Sequence, residues 1–245
     1  MNLVVDVGNT RTKYAFFDGL RLVETGYDIA GVFEKIGQWK EQGEAIGVLL
    51  SGSGKIDEGI RLLLKELAEF WIEAGPHLPL PVKIGYSTPE TLGFDRIAIC
   101  AGGITLFPGK PLLVIDSGTA ITFNYVSGEG VFLGGNISPG QEMRFRGLHQ
   151  FTAKLPYVLP EMNYGGMGRT TEEAVRNGVM NGILFEVEKY IECFYQEEGT
   201  GQVLVTGGNG YFLKSRLNDT VVFSESLGFV GLNVILEHNK RLTNN

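Results

Sequence analysis

One segment of this chain occurs twice. Leu3-Val4-Val5-Asp6-Val7-Gly8-Asn9-Thr10 is echoed 110 positions later by Leu113-Val114-Ile115-Asp116-Ser117-Gly118-Thr119-Ala120. Over Leu3–Phe16 and Leu113–Val126, five of fourteen positions are identical: Leu3/Leu113, Val4/Val114, Asp6/Asp116, Gly8/Gly118 and Thr12/Thr122. Each copy is an apolar run, an Asp, a Gly two residues on, hydroxyl or amide residues, and a second strand-like run. The glycine frees the turn from its Cβ constraint. Backbone N–H groups can then approach a phosphate, with a carboxylate beside them for a cation. A duplicated turn of this kind predicts two related halves gripping a nucleotide phosphate chain, with a cleft between them.

Composition narrows the alternatives. The 245 residues are 43% hydrophobic and 20% charged, which is ordinary for a globular chain with a sizeable core. A net charge of −7 argues against a nucleic-acid footprint and against an anionic membrane partner. Cys100 and Cys193 lie in no CxxC pair and read as buried free thiols. Asp6 interrupts the first apolar run, so no secretory leader is expected, and no apolar stretch is long enough to span a bilayer. The expected location is the cytoplasm.

Periodicity and punctuation predict strands at Leu3–Val7, Thr12–Phe17, Leu20–Thr25 and Ile46–Leu50, helices at Val32–Trp39 and Ile56–Ile72, a strand at Val82–Ile84 and a helix at Thr91–Leu106. The pattern then restarts. Strands are expected at Leu112–Ile115, Ile121–Val126 and Val131–Leu133, then a helix at Gln141–Phe151. A long helix at Thr171–Tyr195 is capped by Thr170 or Thr171, with Glu173 near its third position. Strands at Val203–Val205 and Val221–Phe223 and a helix at Gly228–Asn239 complete the chain. Each half therefore reads β-β-β-α-β-α-β-α. The expected halves are 1–110 and 111–245, meeting near Pro108–Pro111.

An Asp-x-Gly turn in each of two such units resembles the actin, Hsp70 and sugar-kinase superfamily. Within it the ordered motif set resembles the type III pantothenate kinases. The matching segments are Asp6–Lys13, Leu92-Gly93-Phe94-Asp95-Arg96, Asp116-Ser117-Gly118-Thr119-Ala120, Gly134-Gly135-Asn136-Ile137-Ser138-Pro139-Gly140, Leu155-Pro156, Gly168-Arg169-Thr170-Thr171, Gly178, Thr206-Gly207-Gly208 and Leu227–Leu232. They cover essentially the whole chain. Two local departures, at Leu50–Lys55 and at Thr170 where Asn is more usual, touch neither Asp turn. The resemblance implies an α/β fold of duplicated ribonuclease H-like (actin-like ATPase) domains with an interdomain cleft. It also implies ATP-dependent phosphorylation of pantothenate to 4′-phosphopantothenate, the first step of coenzyme A biosynthesis.

The residues give these roles physical content. Asp6 can hold Mg²⁺ directly or through water, and Val7, Gly8, Asn9, Thr10, Arg11 and Thr12 form the rest of the ATP turn. Lys13 reaches phosphate as a point charge. Taken alone, the same turn could be a hairpin whose Asp bonds its own backbone. Asp95 is the expected proton acceptor, and Arg96 suits an anionic substrate because a guanidinium grips carboxylate bidentately. The resemblance implies that Gly93, Phe94, Asp95 and Arg96 line the pantothenate site, that Tyr86 joins them, and that Thr171 reaches substrate from a partner subunit of a homodimer. It further implies a monovalent cation, K⁺ or NH₄⁺, at Asp116 and an ATP contact from Thr119. From the residues alone Asp116 could equally take Mg²⁺, Tyr86 could be a packing aromatic, and Thr170 could exchange roles with Thr171. The apolar excess along Val175–Phe194 also favours a homodimer.

Other constellations carry less. Ser53-Gly54-Lys55 lacks the upstream glycine and the following Ser/Thr of a P-loop, and His77, His149 and His238 are too scattered for a triad or a metal cluster. Two rival readings share the fold: a non-catalytic nucleotide-binding accessory protein, and an acetate- or sugar-kinase-like enzyme. Intact Asp6, Asp95, Arg96 and Asp116 argue against the first.

Overall fold

The computed structural model describes residues 1–8, 12–27, 29–52, 57–75 and 77–243. The chain forms two compact units, Met1–Leu106 with Ser226–Asn245, and Phe107–Glu225.

In the first unit β1 (Asn2–Val7), β2 (Thr12–Asp18) and β3 (Arg21–Gly26) form an antiparallel meander. After α1 (Ala30–Glu41) the chain returns as β4 (Gly47–Gly52), parallel to β1. After α2 (Glu58–Leu67) comes β5 (Phe70–Glu73), parallel to β4. The sheet order is β3-β2-β1-β4-β5. A short β6 (Lys83–Ile84) and a 3-10 turn at Pro89–Thr91 lead into α3 (Phe94–Leu106). Central β1 and β4 are apolar runs rather than alternating strands, because strands covered on both faces bury every side chain. Leu3, Val5, Val48 and Leu50 accordingly meet Val32 and Ile36 of α1 in one core.

The second unit repeats the plan. Its strands are β7 (Leu112–Ser117), β8 (Ala120–Val126), β9 (Val131–Pro139), β10 (Gln202–Thr206) and β11 (Val221–Phe223). They lie in the order β9-β8-β7-β10-β11, with antiparallel and parallel pairs in the same places. Helices α4 (Gln141–Gln150), α5 (Thr171–Glu198) and α6 (Gly210–Lys214) cover the sheet. The last helix, α7 (Leu227–Thr243), returns to the first unit. Five strands of the same order and sense in each unit make this the duplicated ribonuclease H-like architecture that the resemblance implies.

The structure departs from the sequence reading in four places. The sequence break at 110/111 lies beyond Leu106, and α7 belongs with the first unit, because its main packing partner is α3. The helix expected over Ile56–Ile72 stops at Leu67. Ala68 is extended (ψ 135°), and Phe70–Glu73 is a strand beside β4. Apolar Leu67, Phe70 and Trp71 continue a helical spacing by coincidence, whereas the aromatic and β-branched content of Phe70-Trp71-Ile72 suits a sheet. The Gly134-Gly135 stretch continues β9 rather than ending it. Finally, Thr12 and Thr122 are not equivalent. Val7 pairs with Thr12, with four residues between them in the chain, while Ser117 pairs with Ile121, with three between them. The residue opposite Asp6 is therefore Lys13, and the residue opposite Asp116 is Thr122.

A second internal echo emerges with the helices. Both α3 and α7 are entered through Leu-Gly-Phe, at Leu92–Phe94 and Leu227–Phe229. Where α3 continues with Asp95 and Arg96, α7 has Val230 and Gly231. The acid and the guanidinium stand in only one copy.

Candidate active site

Asp6 is the last polar residue of β1 before its turn. The strand pairing sets Lys13 directly across from it and Ser51 on its other side. Cross-strand neighbours sit about 5 Å apart at Cβ, so the ammonium and carboxylate share one face. Burial raises the Asp6 pKa from the ordinary carboxylate value; Lys13 opposes that rise and the negative charge of Asp95 adds to it. Asp6, Lys13 and Asp95 thus share an electrostatic environment. Gly52, at the end of β4, lies against the end of β1. A Cβ there would crowd the Val7 carbonyl, so a side chain at 52 would displace the β1 terminus. Gly52 had no role in the sequence reading; a glycine closing a buried strand was the available signal. Asn9, Thr10 and Arg11 lie outside the described residues, as do Ser53, Gly54 and Lys55. Val7 is buried, and Gly8 and Thr12 are half-buried.

Asp95 stands in the first turn of α3, where a carboxylate is favoured by the helix dipole. Its Oδ1 accepts a hydrogen bond of 2.9 Å from the Arg96 N–H. Gly93 leaves room for that carboxylate, since a Cβ at 93 would collide with Asp95 Oδ1. The Asp95 side chain is exposed and Arg96 is buried. The Arg96 guanidinium lies 6.0 Å from the centre of the Tyr86 ring, at the outer limit of a cation–π contact. Tyr86 and Arg96 are therefore neighbours, and Phe94 opens the same helix.

The second unit offers a different set. Asp116 lies on β7, with Thr206 of β10 beside it. Two glycines press on its turn. A Cβ on Gly207 (φ +91°) would clash with Asp116 Oδ1 and would lie 2.7 Å from the Ser117 carbonyl oxygen. A Cβ on Gly140 would overlap the carbonyls of Gly118 and Thr119. Backbone bonds then fix the turn: Gly118 N–H to Ala120 (3.0 Å), Gly140 N–H to Thr119 (3.1 Å) and Asn209 N–H to Ser117 (2.8 Å). One carboxylate among several backbone carbonyls is a hard oxygen donor set, which fits an alkali cation or Mg²⁺ better than a soft metal. Among the described residues no group of three His, Cys, Asp or Glu side chains is placed to hold a metal. Thr119 is exposed on the turn. Gly140 and Gly207 belonged to motifs quoted from the sequence, but their part in shaping the turn becomes visible only in three dimensions.

The structure separates the two threonines. Thr170 is the N-cap of α5: its Oγ1 accepts from the Glu173 N–H (3.2 Å), while the Glu173 carboxylate accepts from the Thr170 N–H (3.3 Å). Thr171 is the first helical residue and is exposed, free to touch a ligand. Thr170→Ala should cost about 1 kcal/mol of stability and leave turnover unchanged. Thr171→Ala should leave Tm unchanged and raise KM for the acceptor. Thermal unfolding and steady-state kinetics on both variants check the division.

Cys100 is buried within α3, where desolvation pushes its thiol pKa up; Cys193 is half-buried, and both are free. Neither belongs to the site. Among the described residues no helix is long and apolar enough to cross a membrane.

Comparison with known proteins agrees with this geometry. The family model for type III pantothenate kinase matches residues 2–193. A type III pantothenate kinase from Bacteroides fragilis is 38% identical over 241 residues, spanning 98% of each chain. One from Porphyromonas gingivalis is 35% identical, over 97% of this chain and 98% of its own. A solved Campylobacter jejuni structure, described as a Baf family transcriptional activator, superposes with a TM-score of 0.61 at 23% identity over 98% of this chain and 99% of that one. At that identity it speaks for the fold alone, which it shares from end to end. With the family model spanning residues 2–193 and relatives 38% and 35% identical over nearly their whole lengths, this chain belongs to the type III pantothenate kinase family.

Proposed function

We propose that this chain transfers the γ-phosphoryl group of ATP to the primary hydroxyl of pantothenate, giving 4′-phosphopantothenate and ADP, the step that opens coenzyme A synthesis. One observation carries the reading: a carboxylate at the exposed start of α3, Asp95, shares its field with the Asp6–Lys13 pair. Phosphoryl transfer asks a protein mainly for alignment, charge stabilisation and a proton acceptor. Asp95 is the acceptor. The substrate hydroxyl oxygen bonds to the γ-phosphorus, the bond from that phosphorus to the β–γ bridging oxygen breaks, ADP leaves with the electron pair, and the hydroxyl proton passes to Asp95. Arg96 and Tyr86 hold the acceptor, with the guanidinium suited to its carboxylate.

Asp6 is the residue that would hold Mg²⁺, with Lys13 as a further positive charge on the phosphates. Bound there, the ion would neutralise the charge that gathers on the phosphoryl oxygens. Asp116, with the carbonyls around it, would hold K⁺ or NH₄⁺, and Thr119 would contact ATP. Because burial raises the Asp6 pKa, this carboxylate protonates at a higher pH than an ordinary one. In the metal-free enzyme that first meets MgATP, kcat/KM should therefore fall on the acid side before the ordinary carboxylate range is reached. A coupled assay with ATP, Mg²⁺ and a panel of alcohols tests the substrate: ADP release should depend on pantothenate, rise with K⁺, and be negligible with acetate or sugars.

The chain also reads as a homodimer. Met143 of α4, Phe151 just beyond it and Phe185 of α5 expose large apolar surfaces, and an open groove of about 690 Å³ runs between the two helices. A second copy of the chain would cover them and place Thr171 beside its substrate. Light scattering should give twice the 26.8 kDa chain mass; a single 26.8 kDa species at micromolar concentration would contradict it. Such an enzyme belongs in the cytoplasm, where ATP and Mg²⁺ are supplied.

A further inference from the structure

α7 lies beyond the residues matched by the family model, and the reaction as described gives it no part. Its packing supplies one. The principal partner of α3 is α7, and α7 rests in turn on β1, β2 and β4. The helix carrying Asp95 is thus seated on the sheet carrying Asp6 through an intermediary. Both joints of that intermediary are tight.

The joint to α3 is made of backbone. A Cβ on Gly231 would overlap the Ala98 carbonyl and would lie 3.0 Å from the Gly102 nitrogen; a Cβ on Gly102 would lie 2.7 Å from the Leu227 carbonyl oxygen and 3.2 Å from the Gly231 nitrogen. The two helices meet turn on turn, 98–102 against 227–231, backbone close to backbone with the Leu227 side chain beside the contact. Ala98 is one turn along α3 from Asp95. The joint to β1 is polar. Asn2, at the head of β1 and 1% exposed, donates to Asn233 Oδ1 (2.7 Å) and to Glu237 Oε1 (2.8 Å) and accepts from Lys240. Asn233 in turn donates to the Gly19 carbonyl (2.9 Å). A buried carboxamide with its donors and acceptor engaged permits one seating of the helix, since sliding it would orphan those groups.

We propose that α7 sets the separation of Asp95 from Asp6, and that Gly231 is the positioning residue which fixes it. This rests on Asp95 acting as the proton acceptor. Real Cβ atoms keep at least 3.0 Å from such neighbours, so a methyl at 231 must lever the start of α3 away from α7. A displacement of about 1 Å at a reacting group can cost about 10²-fold in rate. Asp6 and Lys13 are held in β1 and β2 by the strand pairing rather than by the joint at Gly231. The second copy of the Leu-Gly-Phe motif therefore supports the catalytic group that the first copy presents.

The test is a double-mutant cycle of Gly231→Ala and Asp95→Asn, read as kcat, ADP affinity by calorimetry, and folding by circular dichroism. Gly231→Ala should fold, bind ADP within about twofold of the parent, and lose about 10- to 100-fold in kcat. Asp95→Asn should then cost at most about tenfold in that background, against about 10²–10⁴ in the parent. An undiminished Asp95→Asn effect in the Gly231→Ala background, or ADP affinity falling in step with kcat, overturns the proposal. If Asp95→Asn alone leaves turnover normal, the proton-acceptor assignment fails first and takes the proposal with it, a result distinct from failure at Gly231. If Gly231→Ala does not fold, the milder Gly102→Ala carries the same cycle. A several-fold loss that is non-additive with Asp95→Asn supports the positioning role, and additive losses overturn it.

Discussion

Asp95→Asn should bind ADP and pantothenate as the parent does and turn over about 10²–10⁴-fold more slowly. The substitution is close to isosteric. Asn keeps an oxygen to accept the Arg96 N–H, so the first turn of α3 stays formed. What disappears is the basicity that receives the hydroxyl proton. Asp95 is also one of the charges that raise the Asp6 pKa. Its neutralisation should move the acid limb of the residual activity to lower pH. Loss of kcat with a shifted acid limb, at unchanged KM, is the signature of a proton acceptor coupled to Asp6. A change in KM alone would mean that Asp95 only binds.

Asp6→Asn is the second large effect, and it acts in opposite directions on activity and stability. Removing the carboxylate proposed to hold Mg²⁺ should lower kcat/KM for MgATP by about 10²–10³-fold, since such an ion supplies several kcal/mol of charge stabilisation. The same change should raise Tm. The folded pKa of Asp6 lies above its unfolded value because burial disfavours the anion. A group raised in this way adds stability that is fully present below its unfolded pKa and is lost as pH rises through the folded one. At neutral pH the ionised side chain therefore costs stability, and a neutral amide removes that cost. Calorimetric unfolding should show Asp6→Asn melting above the parent at pH 7, with the gap closing as pH falls toward about 4. A lower Tm at pH 7 would show that the carboxylate is stabilised in place, against the burial argument.

Much of this was legible in the residues. The Asp-x-Gly echo foretold the turn after Asp116, and the apolar runs around both copies foretold β1, β2, β7 and β8 because strand patterns are local. Asp95 and Arg96 could be assigned roles through the resemblance, and the structure places both at the start of α3. Tertiary constraints stayed hidden. No local signal tells that α7, last in the chain, packs on α3 of the first unit. β5 was masked because a hydrophobic spacing of three and four continues from α2 into Phe70-Trp71. The one-residue difference between the turns, which puts Lys13 opposite Asp6 and Thr122 opposite Asp116, vanishes in an ungapped alignment and appears only in the strand register. Gly140 and Gly207 could be quoted as motifs, but the carbonyls they admit lie at the end of β7 and on the turn after it, far off in sequence. Which of Thr170 and Thr171 caps α5 turned on which hydroxyl meets the Glu173 N–H, a matter of coordinates.

The central claim is that this chain moves one phosphoryl group from ATP to pantothenate. Mass spectrometry of a mixture of the purified protein, ATP, Mg²⁺, K⁺ and pantothenate addresses it directly. Pantothenate bearing a single added phosphoryl group should accumulate one-for-one with ADP, and both products should form about 10²–10⁴-fold more slowly when Asp95 is replaced by Asn. ADP appearing without phosphorylated pantothenate, or no turnover from a folded protein that binds both ligands, would contradict the account.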